Sequence, residues 1–287
     1  MQRRHLVVAA AAGAAVLGVA LATAAQSSPA TNATQIKLSA SPSQVQVVGL
    51  PCLPSALTVG MTNTGNGSVY ADMELSAPKP LVLDRRVFSS WLPAAEPDRP
   101  VTVKVGVTVP RDARPGHYTV GLSVDHNDLR VPVDVLPLPG KGPGDNLLLG
   151  EQAVPSSTNG SFSPCGAVDG DANGDHWSTS TGWNDGTKSV FPDDYAVTLP
   201  TATTLSRVVT DTLDSAKYPA PKYGLRDFDV QAHVSGAWVT VASVRGNTAG
   251  SVTSTFAPVQ ADGVQIVALD SNDHAYSRIV ELQAFSS

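Results

Sequence analysis

The 287-residue sequence carries 19 Lys and Arg against 25 Asp and Glu, a formal charge of −6, with 42% apolar and 6% aromatic residues. Its length suits two ordinary domains. It shows no basic stripe, which argues against nucleic acid or an anionic lipid surface as the partner.

In chain order, residues 1–25 read as a secretory signal peptide. Arg3 and Arg4 precede an uncharged Ala/Val/Leu run, which ends at the small-residue site Ala22-Thr23-Ala24. Membrane attachment is expected only if this leader is retained, and no Cys near the cleavage point offers a lipid anchor. The expected location is therefore secreted, extracellular.

Beyond a polar tail, short Val/Thr/Leu-rich segments recur between Gly, Pro, Asn and Asp, and no stretch sustains an apolar period of 3.6. This predicts an all-β chain. In the first half, strands are predicted at Ile36 to Leu38, Leu57 to Thr62, Val101 to Val109, Tyr118 to Val124 and Leu129 to Val135. Val101-Thr102-Val103-Lys104-Val105 alternates as one face of a sandwich requires. Residues 138–145 are a stiff Pro/Gly linker, and a second domain is predicted over 146–287. Its strands are predicted at Tyr195 to Leu199, Leu205 to Thr212, Phe228 to Val234, Trp238 to Val244, Val264 to Leu269 and Ile279 to Phe285. Cys52 and Cys165 fall one in each half. Either they form an interdomain disulfide after export or they are two separate buried thiols.

The stretches "TVGMTNTGNGSV" and "VTVPRDARPGHYTVGLSV" resemble bacterial Ig-like domains, which implies an Ig-like β-sandwich over 35–137. Over 146–287, "NLLLG", "AVDGD" with a following Trp, "YAVTLPTATTLSRVV", "GLRDFDVQAHVSGAWVTVASV" and "YSRIVELQAF" stand in the order found in the discoidin, or coagulation factor V/VIII C-type, domain. That family includes many galactose-binding-like carbohydrate-binding modules. The resemblance implies a β-sandwich jelly roll whose loops at one end bind ligand.

Asp169, Asp171 and Asp175 lie within seven residues, with Gly170 and Gly174 letting the backbone curl its carbonyls inward. Calcium requires such an oxygen-rich loop. The resemblance implies a structural Ca²⁺ held by this loop together with Glu281 of the closing strand. The alternative for Glu281 is a salt bridge to Arg207 or Arg278, with the acidic loop a solvated turn.

Ligand binding is expected from loop residues that offer an aromatic face or planar polar groups to a sugar: Trp183, Asn184, Asp185, Tyr218, Tyr223, Arg226 and His274, with Asn272 and Tyr276 beside the last. Trp177 and Trp238 are assigned to the core, and Arg226 could instead pair with Asp227 or Asp214. No G-x-S-x-G, HExxH, Cys/His cluster or phosphate loop is present, so no enzymatic activity is expected. The leader and two domains account for the chain, which predicts a free-standing carbohydrate-binding protein. The alternative is an adhesion or structural role with a cell-surface protein as partner.

Overall fold

The computed structural model describes residues 36–94 and 99–286. The predicted signal peptide lies outside the described residues. Apart from short 3-10 turns and the single-turn helix α1 (Ala220–Tyr223), the regular structure is all β, as expected.

Strands β1 (Ile36–Ser41), β2 (Val45–Val47), β3 (Ser55–Asn63), β4 (Val69–Ser76), β5 (Val82–Leu83), β6 (Val87–Leu92), β7 (Val101–Thr108), β8 (Gly116–Val124) and β9 (Asn127–Val135) build a first sandwich. Its sheets run β1-β3-β7-β5 and β2-β9-β8-β4-β6. The pleat explains the core: Leu57, Val59 and Met61 of β3 face Val120 and Leu122 of β8 and Val131 and Val133 of β9 in one buried cluster. β4 and β6 lie outside the predicted strands, although Ala71, Met73 and Leu75 are buried in alternation with exposed Tyr70, Asp72 and Glu74.

The second sandwich uses β10 (Gln152–Pro155), β11 (Trp183–Asn184), β12 (Asp193–Thr212), β13 (Leu225–Val234), β14 (Ala237–Val244), β15 (Ser251–Ser271) and β16 (Arg278–Phe285). All belong to one hydrogen-bonded sheet, folded over itself by the long strands β12 and β15. The early part of β12 pairs with β10 and with the end of β15, whereas its later part pairs with β16 and with the start of β15. The ladder breaks between Thr198 and Thr203 of β12, and between Val259 and Thr255 of β15. Pro200 and Pro258 fall in these breaks, where no ladder N–H is needed and a strand can turn from one layer to the other. The two strands predicted at Tyr195 to Leu199 and Leu205 to Thr212 are thus one bent strand. The first half of β15 was missed because Pro258 interrupts its alternation.

Inward residues of both layers, among them Val197, Val208, Phe228, Val230, Ile266 and Leu282, form one core. Trp238 departs from its predicted place in that core: it is 37% exposed on β14 and tilts against the His233 ring at 4.8 Å.

The two sandwiches are joined covalently. Cys52 and Cys165 form a disulfide across a sequence separation of 113 residues, and Cys52 is buried in the core of the second sandwich against residues such as Leu147 and Val168. At the same junction the buried Glu151 carboxylate meets Arg111 from the loop after β7 and Lys141 from the Pro/Gly segment, at 3.2 Å for the latter.

Candidate functional site

The acidic loop coils through successive Asx turns. The backbone N–H groups of Asp171, Asn173 and Asp175 donate to the side-chain oxygens of Asp169, Asp171 and Asn173, each at 3.0 Å. Short polar side chains that bond the backbone two residues on produce this winding without helix or sheet. Gly182, at φ +92°, lets the loop return beneath Trp177, whose ring would lie 2.3 Å from a Cβ there.

This coil brings together only part of the predicted metal set. Asp171 Oδ2 turns to His176 Nδ1 at 2.7 Å, and this hydrogen bond is the main reason its carboxyl sits below the usual range. Asp175 accepts from the Ala216 N–H at 3.4 Å. Among the described residues, no three His, Cys, Asp or Glu side chains converge as metal ligands. The four-carboxylate arrangement of Asp169, Asp171, Asp175 and Glu281 is therefore corrected, because two of the aspartates are engaged elsewhere.

A smaller oxygen-rich cage forms instead. Thr181 Oγ1 stands 3.0 Å from each of Asp169 Oδ1, the Asp171 carbonyl and the Gly166 carbonyl. A hydroxyl has one proton and can donate to only one of the three. Glu281, fully buried in β16, accepts from the Gly170 N–H at 3.2 Å through Oε1, while its Oε2 has no partner. Burial, reinforced by nearby Asp169, pushes Glu281 up to about 8, and burial also raises Asp169. Neither arginine considered for Glu281 reaches it: Arg207 lies over the Phe285 ring at 4.1 Å, and Arg278 pairs with Asp273 at 2.9 Å. A buried, unpaired carboxylate oxygen beside surplus acceptors fits a hard cation.

Trp183, Asn184 and Asp185 are not surface residues, a second correction. Trp183 in β11 pairs with Ile279 and is completely buried, its indole N–H donating to the Ser157 carbonyl at 3.0 Å and its ring tilted against Tyr195 at 4.9 Å. The Asn184 amide donates to the Asp185 carbonyl at 2.8 Å. Asp185 accepts from the backbone N–H groups of Ser277 and Thr187, each at 2.7 Å, and so staples two loops. Beside it, Asp193 accepts from Ser277 Oγ at 2.7 Å, and burial raises its carboxyl to about 6.

Tyr218 and Tyr223 are partly buried. They meet edge-on at 5.3 Å and pack on the satellite core of Trp177, Leu213 and Val280, so they wall the loop end instead of offering free faces.

Beside them stands a polar network. Arg226 donates through Nε to Asp227 at 2.9 Å and forms an ion pair with Asp270 at 2.6 Å, while His274 Nδ1 meets the same Asp270 carboxylate at 2.9 Å. Arg226 thus pairs with Asp227 but not with Asp214. The side chains of Arg226 and His274 are 34% and 63% exposed. Asn272 fixes the platform, its amide donating to the carbonyls of Ala220 at 2.8 Å and Asn247 at 3.0 Å. Of the predicted ligand residues, Tyr218 lies in the loop before α1, Tyr223 ends α1, Arg226 lies at the start of β13 and His274 lies in the turn after β15. Sequence reasoning missed Asp270 at the centre of this network and Thr181 at the centre of the cage. An Asp at a strand end and a Thr in a Ser/Thr-rich stretch carry no spacing signal.

No protein-family model and no curated protein matches the chain. Among solved structures it is similar to chitosan-binding module 1 of a chitosanase/glucanase from Paenibacillus sp. IK-5, at 22% identity over 50% of this chain and 99% of that one, with TM-score 0.41. It is also similar to a Streptococcus pneumoniae fucose binding module, at 20% identity over 50% and 95% of the two chains, with TM-score 0.43. A third similar structure is the lectin domain of lectinolysin complexed with Lewis B antigen, at 19% identity over 51% and 99% of the two chains, with TM-score 0.43.

Proposed function

We propose that this is a secreted, non-catalytic carbohydrate-binding protein. Its second sandwich is a discoidin-type binding module, and its first an Ig-like spacer held to it by the Cys52–Cys165 bridge. The observation that carries the reading is the exposed Arg226–Asp270–His274 network. A sugar presents adjacent hydroxyls that both donate and accept. Planar charged groups already locked by their neighbours can bond them at little ordering cost. Arg278 lies over the rings of Tyr276 at 5.3 Å and Tyr223 at 5.8 Å, so these tyrosines add aromatic surface at the same loop end.

A structural Ca²⁺ belongs to the same proposal. Asp169, Thr181, Glu281 and the carbonyls of Gly166 and Asp171 would hold it, and when bound it would neutralise two carboxylates that burial otherwise disfavours. In this reading the ion would brace the loop fold and would not touch the sugar.

A glycan array probed with the full chain, with and without chelator, tests the function. Saturable binding to at least one glycan is expected, weakened about tenfold or more by Arg226→Ala or His274→Ala. Absence of any glycan hit, together with saturable retention on a cell-surface protein, would replace this reading with the adhesion one.

A further inference from the structure

The outer face of the first sandwich carries a feature that the loop site does not use. Tyr70 on β4 and Trp91 on β6 are direct cross-strand partners and are 59% and 60% exposed. Large aromatics side by side in water are costly unless something covers them. The alternation that buries Ala71, Met73 and Leu75 turns Tyr70, Asp72 and Glu74 outward. Asp72 lies opposite Ser89, and Glu74 opposite Val87 on one side and Ser123 on the other. Among the described residues, Asp72 and Glu74 have no ion-pair partner and the tips of Tyr70 and Trp91 have no hydrogen-bond partner.

We propose that this face is a second carbohydrate-binding surface, independent of the loop site. Cross-strand positions set the two side chains about 5 Å apart at Cβ, so both rings project from the same outer face at the sheet edge and offer a two-ring platform. The apolar C–H faces of consecutive pyranose rings fit such a platform. The carboxylates of Asp72 and Glu74 can accept hydrogen bonds from glycan hydroxyl or amino groups, and the serine hydroxyls beside them can donate or accept. A second copy of the chain fits poorly: two-fold pairing through this face would set Asp72 and Glu74 against the same carboxylates of the other copy.

Calorimetric titration of the full chain with cellohexaose and with the hexamer of glucosamine separates the neutral and cationic versions of this chemistry. At least one hexamer should bind, with affinity reduced about tenfold or more in Tyr70→Ala/Trp91→Ala. Asp72→Asn/Glu74→Gln should weaken the glucosamine hexamer more than cellohexaose. A shift of the Trp91 indole N–H resonance in the unsubstituted protein supports the same claim without relying on a variant that folds. Failure of both hexamers to bind, binding indifferent to Tyr70 and Trp91, or concentration-dependent dimerisation through this face would each overturn it. The array result for the loop site stands or falls separately.

Discussion

Trp183 shows how a single side chain can carry a fold while looking like a ligand contact. Its fully buried ring bridges β16 and Tyr195, and its N–H is satisfied by the Ser157 carbonyl. Trp183→Ala should therefore lower unfolding stability by about 3 to 5 kcal/mol, measured by denaturant titration, and should weaken binding only as far as it unfolds the chain. Asp193 gives a pH signature. Its folded carboxyl, raised by burial from 3.8 to about 6, favours the protonated form, so its contribution is fully present below pH 3.8 and lost as pH rises through about 6. Measured in excess calcium, the wild-type unfolding free energy should decline across that window relative to Asp193→Asn, and parallel profiles would contradict the assignment. Glu281 makes the corresponding case for the cation. Calcium should raise the melting temperature of the wild type and leave that of Glu281→Gln unmoved, because the substitution removes the buried charge the ion would neutralise.

At the scale of elements, the legible parts are those where one periodicity rules. Phe228, Val230 and Ala232 are buried in β13 while Asp229 and Gln231 are half-exposed, as the alternation required. The bent strands were not legible, because Pro258 and Pro200 read as strand breakers when in fact they mark where one strand changes layer. Loop burial was not legible either: the glycines flanking Trp183 suggest an open turn, whereas Gly166 approaches Gly182 so closely that a Cβ would lie 2.1 Å from its carbonyl oxygen. The Cys52–Cys165 bridge ties the segment after β2 into the other sandwich's core. Replacing both cysteines by serine should cost about 4 to 5 kcal/mol by the chain-entropy account of a loop this long, read as a lower denaturation midpoint.

At the scale of the molecule, two sandwiches are pinned by a disulfide, the Arg111–Glu151–Lys141 cluster and the hydrogen bond from the Cys52 N–H to the Gly150 carbonyl. Such a body can present two surfaces in a fixed relation: the loop end around Asp270 and the aromatic edge around Tyr70 and Trp91. Among the described residues no helix is long and apolar enough to cross a membrane. The measurement that bears most directly on the central claim is an amide chemical-shift map of the chain titrated with the strongest glycan from the array. Perturbations centred on residues 223–227 and 270–276 are predicted. A glycan that binds saturably while leaving those two segments unmoved would contradict the account.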